Sequence, residues 1–197
     1  MIWILNGGIL ICAFCFAKAL LLKIDDALAE QSATHKYLAV IASVYLFSVA
    51  GLLHSAWEGI FWVSLALAAY SDYVTKEIYD FVYFPAGVIC VYQVLSEGNV
   101  EKILGLTVFC CIQMVIFKRL YGVSDCIAFS VCAMYVAAHG GGMQDYWLHM
   151  FIAFLLFLIV QAFKRNIDKK GRLKKPGAFI PYIAAAMLYM QVCIMWR

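Results

Sequence analysis

The chain has 197 residues, 65% of them hydrophobic types and only 14% charged, and its mean hydropathy is +0.87. Fifteen basic and twelve acidic side chains are too few to coat a soluble particle of 22.1 kDa, because soluble domains carry about 25% charged residues. The composition argues against a soluble enzyme, a disordered chain and a nucleic-acid binder with a basic face; the net charge of +3 says less than where the charges fall.

Eight apolar runs follow one another, at 1–22, 37–53, 59–71, 81–96, 103–117, 126–144, 146–163 and 178–196. A helix needs roughly 20 residues to cross the hydrocarbon. Runs three, four and five are shorter, so their polar ends reach into the interface or the lipid thins around them. The third run fits a re-entrant piece as well as a span. None of the runs alternates strictly, and open sheet edges are forbidden in lipid. The expected fold is therefore all-α, a polytopic membrane helix bundle of about eight transmembrane helices, forming one membrane-embedded domain over residues 1–197. The first run lacks a basic start and a small-residue cleavage site, so it reads as a retained helix rather than a secretory signal.

Basic residues orient such a chain. The segment 164–175, KRNIDKKGRLKK, holds seven of the fifteen and is placed in the cytoplasm. Alternating backwards through eight spans puts 23–36, 72–80 and 118–125 inside as well, with Lys23, Lys36, Lys76, Lys118 and Arg119. Only Lys102 and Arg197 then lie outside, with Lys18 near the inner end of the first helix. This count places both termini outside.

The eight cysteines do not read as a zinc site. Cys12 and Cys15 form a CxxC within an apolar helix, without the convergent second pair that zinc needs. The others read as small hydrophobes. His35, His54, His139 and His149 are scattered along the chain and carry no expected metal role, and no glycine-rich phosphate loop or dinucleotide fingerprint is present. No cofactor is expected.

Two acids stand out. Asp72 follows the third run directly, in AAYSDYVTKEIYD, and Asp125 opens the sixth, in RLYGVSDCIAFS. Both are expected at the cytoplasmic ends of helices, at one membrane depth. Asp125 near a helix N-terminus gains from the positive end of the macrodipole, whereas Asp72 at a C-terminal end meets the opposite field. Two close carboxylates cannot both ionise cheaply, so their proton affinities split; one takes a proton from water while the other donates to a carbonyl. A solvated cap or a transport residue is the plainer use of such acids, and Asp25, Asp26, Asp80 and Asp168 read as loop residues. Gly122, three positions before Asp125, can supply a positive φ or a close chain approach. Pro181 in the first turn of the last run costs little.

These residues resemble the type IV prepilin peptidases, members of the membrane aspartic proteases with a GxGD motif. SDYVTKEIYD at 71–80 is similar to the family's Asp followed by a polar stretch and Ile-Pro-Asn or Ile-Pro-Asp: Asp72 and Ile78 match, and Tyr79 replaces the proline. YGVSDC at 121–126 is similar to the approach to the second catalytic aspartate: Gly122 and Asp125 match, and Ser124 stands where the second glycine belongs. KKPGAFIPY at 174–182 is similar to a late Pro-Phe-x-Pro element, through Phe179 and Pro181. The resemblance covers about residues 56–190, taken as the catalytic core. The cysteine-rich cytoplasmic domain of the large members has no counterpart in KIDDALAEQSATHK at 23–36, so methyl transfer from S-adenosylmethionine is not assigned.

The resemblance implies an aspartic endopeptidase in the inner (plasma) membrane of a bacterium. Asp72 and Asp125 are the expected catalytic pair, with Gly122, Ser124, Ile78 and Pro181 as motif support. The expected partners are type IV prepilin-like substrates and membrane lipid, with no nucleic acid. Asp25, Asp26 and Glu30 would weakly attract a basic leader. The alternatives are a transporter using the same aspartates, a presenilin-like intramembrane protease, and an inactive assembly protein.

Overall fold

The computed structural model describes residues 2–164 and 177–195. The chain is all-α over these residues. The helices are α1 (Ile2–Ile24), α2 (Asp26–Thr34), α3 (Lys36–Ala50), α4 (Ala56–Thr75), α5 (Phe84–Glu97), α6 (Val100–Tyr121), α7 (Val123–Ala138), α8 (Met143–Phe163) and α9 (Ile180–Met195). A 3-10 turn at Asp80–Tyr83 precedes α5, and α6 widens into a π turn at Gln113–Phe117. Of the basic segment 164–175, only Lys164 falls among the described residues; Arg197 lies outside them.

Local chemistry sets these boundaries. Lys76 takes the left-handed conformation, φ 63°, and its N–H closes on the Asp72 carbonyl, which ends α4. Pro85 starts α5, where its missing N–H is no loss. The Asn99 side chain caps α6 through the Lys102 N–H at 3.2 Å.

α1, α6 and α8 are long and apolar enough to cross a membrane, and α2 and α3, bent by 89° at their junction, pass that test as a pair. The outward faces are apolar too: Phe16, Ile41, Val44, Val115, Phe151 and Leu158 are all exposed, as lipid solvent requires. This is a multi-pass membrane protein. α4 differs from these peripheral helices because it is buried along most of its length, from Phe61 and Trp62 to Tyr70 and Asp72. It packs on α1, α2, α3, α5 and α9, while α7 packs on α5, α6, α8 and α9. Helices enclosed by other helices can carry small and polar residues, which is why the third run reads as short.

Hydrogen bonds tie the segments at each end of the bundle. At one end Tyr79 bonds Asp25, Ser32 bonds Tyr70, Ser124 bonds Asp80, and Asp72 accepts from Phe179 and Ile180. At the other, Glu58 meets His54 and His139, Lys102 bonds Glu97 and the Ala137 carbonyl, and Gln191 reaches the Leu52 carbonyl.

Several expectations change. The stretch 23–36 is not a plain loop: Asp25 accepts the Leu28 N–H at 3.0 Å, capping α2, and α2 buries Leu28 and Ser32 on one face. Asp25 and Asp80, read as loop residues, do lie between α-helices, and there each accepts a hydrogen bond that ties two segments together. Cys12, Cys15 and Cys111 are exposed on outward faces, so only part of the cysteine set is core. Glu58 draws His54 and His139 together, so these two histidines are not scattered in space.

Gly7 marks a close approach of α1 and α3, since a Cβ there would stand 2.5 Å from the Phe47 ring, whereas Gly8 has open space. Overpacking typically costs 1–3 kcal/mol. Gly7→Ala is therefore expected to lower the melting temperature of the purified protein by an amount matching about 1–3 kcal/mol. Gly8→Ala should leave it unchanged or raise it by up to about 1 kcal/mol; equal effects of the two substitutions would contradict the packing described.

Candidate functional site

Asp72 sits in the last turn of α4, one residue beyond the apolar stretch 59–71, and is 5% exposed. Its Oδ2 accepts the N–H of Phe179 at 2.7 Å and of Ile180 at 2.9 Å. Those are unpaired donors at the start of α9, so the carboxylate of one helix closes the N-terminus of another. Oδ1 makes no hydrogen bond among the described residues. Burial raises the Asp72 pKa above the ordinary carboxylate value; the Ile180 and Phe179 N–H bonds and the nearby Lys76 charge act against that rise.

Asp125 lies in the first turn of α7, ahead of the apolar stretch 126–138, and is half-buried. Gly122 precedes it at φ 104° and ψ 164°, a conformation that L side chains rarely adopt, and a Cβ on Gly122 would lie 3.9 Å from Asp125 Oδ2. The carboxyl is reached past bare backbone. Asp125 makes no hydrogen bond among the described residues. Burial, and then the charge of Asp72, push its pKa up to about 7. The charge of Asp72 thus acts on Asp125, 53 positions away in sequence.

The Asp72 pKa is raised, as expected, but Asp125 is raised as well, against the expectation from its helix N-terminus. The macrodipole argument favoured ionised Asp125 and protonated Asp72, considering each residue's own helix. In the fold, Asp72 also receives the N-terminal donors of α9, which favour its carboxylate. Asp125 gains no such bonds and has Asp72 beside it, so it is the better holder of a proton.

The supporting residues divide. Ser124 donates to Asp80 Oδ1 at 2.8 Å and ties the 3-10 turn to the start of α7. Tyr79 bonds Asp25 through its hydroxyl, a contact that a proline at that position would lack. Ile78 packs against the core in the segment between α4 and the turn, and Pro181 lines a groove beside α3 and α4; neither touches the aspartates through a hydrogen bond. The Gln113 carbonyl in the π turn accepts both the Lys118 N–H and the Cys126 thiol, the latter at 3.2 Å, which fixes the residue after Asp125.

No family model, no curated protein and no solved structure matches the chain. The site therefore rests on its own geometry.

Tyr83 is a further candidate that the sequence did not single out. It is 2% exposed, and its hydroxyl has no hydrogen-bond partner among the described residues. The turn that carries it packs on both α4 and α7, and the charges of Asp125, Asp72 and Asp80 all act on it. An unpaired buried hydroxyl costs about 1–3 kcal/mol, and the Tyr146 hydroxyl is likewise without a partner among the described residues. In sequence Tyr83 is one aromatic residue in FVYF, with no local signal. Glu58 was also missed. It is buried at the opposite end, where it accepts the His54 N–H at 3.1 Å and contacts His139 Nε2 at 3.5 Å.

Replacing Asp72 by Ala should leave two buried N–H groups of α9 unpaired and destabilise the protein by about 1–3 kcal/mol. Asp72→Asn retains an acceptor oxygen and should lose less. Because the folded-state pKa of Asp125 is raised, the stability linked to its proton is full below the ordinary carboxylate range, near 3.8, and is lost as pH rises to about 7. Thermal melts of wild type, Asp72→Ala, Asp72→Asn and Asp125→Asn across pH 4–8 check both statements: Asp125→Asn should flatten the decline.

Proposed function

We propose that this protein is an aspartic endopeptidase that removes the short basic leader of type IV prepilin-like precursors at the cytoplasmic face of a bacterial inner membrane. The observation that carries the reading is that the charge of Asp72 acts on Asp125, each with a carboxylate oxygen that has no hydrogen bond among the described residues. The order and spacing of Asp72, Ile78, Gly122 and Asp125 support the prepilin-peptidase resemblance.

In this mechanism water lies between the carboxyl groups. Asp72 Oδ1 takes a proton from it as the oxygen bonds to the scissile carbonyl carbon, and Asp125 gives its proton to the carbonyl oxygen. The tetrahedral intermediate then collapses: the C–N bond breaks as Asp72 gives its proton to the departing nitrogen, and a hydroxyl proton of the intermediate returns to Asp125 as the carbonyl re-forms. No covalent enzyme intermediate forms. The Tyr83 hydroxyl supplies a fixed donor for the developing oxyanion. All eight apolar helices (α1 and α3–α9) cross the bilayer in this reading, 164–175 is cytoplasmic, and both termini lie outside. The shared end of 23–36, 72–80, 118–125 and the start of α9 supports that arrangement. A groove of about 690 Å³ between α5 and α7 starts at Asp80 and Tyr83 and continues along Val88, Val91 and Val131. It gives the apolar helix that follows a leader a lateral path to the aspartates.

A matched prepilin precursor, cleaved by wild-type protein in lipid vesicles, tests the reading. Asp72→Asn and Asp125→Asn should each lower the cleavage rate by about 10²–10⁴-fold, and full activity in either would overturn it. Tyr83→Phe should lower kcat by about 10²-fold with little change in KM. Wild-type activity should fall as pH rises through about 7, where Asp125 loses its proton.

A further inference from the structure

A second groove, of about 340 Å³, runs along the outside of the bundle between α3, α4 and α9. Ile41 and Ala42 of α3, Ala66 and Ala69 of α4, and Ala185 of α9 form its apolar length. Ile41 is exposed, so the groove opens toward lipid. Tyr37 and Tyr73 line the end nearest Asp72, and the His35 ring stands edge-on to both, at 6.0 and 6.1 Å.

Charge gathers at that end. Lys76 Nζ lies 4.9 Å and Lys164 Nζ 6.0 Å from the centre of the same Tyr73 ring. Lys76 Nζ donates to the Tyr73 carbonyl at 3.1 Å, and neither lysine forms an ion pair with a carboxylate among the described residues. Glu77 adjoins Lys76 in sequence without pairing with it, and Asp72, whose charge acts on Lys76, has its Oδ2 committed to α9. Two ammonium groups held over one ring repel each other, and an anion between them removes the repulsion. Basic pockets between membrane helices suit phosphate head groups.

We propose that this groove binds an anionic phospholipid, with one acyl chain along α3, α4 and α9 and the phosphate between Lys76 and Lys164. The tyrosine hydroxyls of Tyr37 and Tyr73 stand at the junction of chain and head group, where amphipathic rings favour the interface. A zwitterionic lipid would bring its own ammonium to a doubly cationic lip, so it binds less well. The site adjoins Asp72 through Lys76, the two charges acting on each other, but lipid binding there does not require peptidase activity.

Native mass spectrometry of the full-length protein tests it, with phosphatidylglycerol, phosphatidylcholine and inorganic phosphate titrated separately. Phosphatidylglycerol should bind wild type more tightly than phosphatidylcholine. The K76Q/K164Q variant should lose about thirtyfold of that affinity, and K76R/K164R should keep most of it. Ala185→Phe fills the groove without altering charge and should also weaken binding, while melting curves confirm that each variant is folded. Equal affinity for both lipids, unchanged binding by K76Q/K164Q, or phosphatidylglycerol binding undiminished by Ala185→Phe would overturn the proposal. So would inorganic phosphate alone matching phosphatidylglycerol, which would make this a simple anion site. If K76Q/K164Q does not fold, the lipid comparison on wild type and the Ala185→Phe arm decide.

Discussion

Asp72 Oδ2 joins two helices that are more than a hundred positions apart in sequence. By accepting the first N–H groups of α9, it satisfies backbone donors that lipid could not and fixes the depth at which the last helix begins. The same bonds settle which oxygen is occupied and which is left over. The carboxylate is thus a structural cap, and the cost of burying its charge is offset by the helix end it closes.

The rest of that end of the bundle is arranged around this constraint. Ser124 and Asp80 fasten the 3-10 turn to α7, Tyr79 and Asp25 fasten the segment before the turn to α2, and the turn itself bridges α4 and α7. Polar side chains near the membrane boundary would cost several kcal/mol each if unpaired. Tyr79, Asp25, Ser124 and Asp80 are paired, whereas Asp72 Oδ1, the Asp125 carboxyl and the Tyr83 hydroxyl have no hydrogen-bond partner among the described residues.

Much of the fold was legible in the sequence because lipid makes hydropathy a direct record of which residues face what. Every apolar run corresponds to a helix. The run at 103–117 extends to Val100–Tyr121 because Asn99 caps it and the π turn continues it past Lys118, signals that a hydropathy window does not weigh. α2 was not legible, since only two of its residues are buried. Asp72 and Asp125 could be singled out by their place at the ends of runs, but their charge states could not. Those depend on α9, whose N-terminus reaches Asp72 only in three dimensions. Tyr83 was hidden for the same reason: an aromatic residue in an apolar run reads as core, and only packing shows that its hydroxyl is unpaired.

The π turn at Gln113–Phe117 has a geometric consequence. Its wider winding takes up more residues per turn than an α-helix, so the side chains after it are out of phase with those before it. Val115 and Ile116 remain outward, yet Tyr121 turns inward to face Phe129, Phe154 and Phe179. That rotation sets an aromatic ring among α7, α8 and the start of α9, just before the turn at Gly122 from which α7 begins.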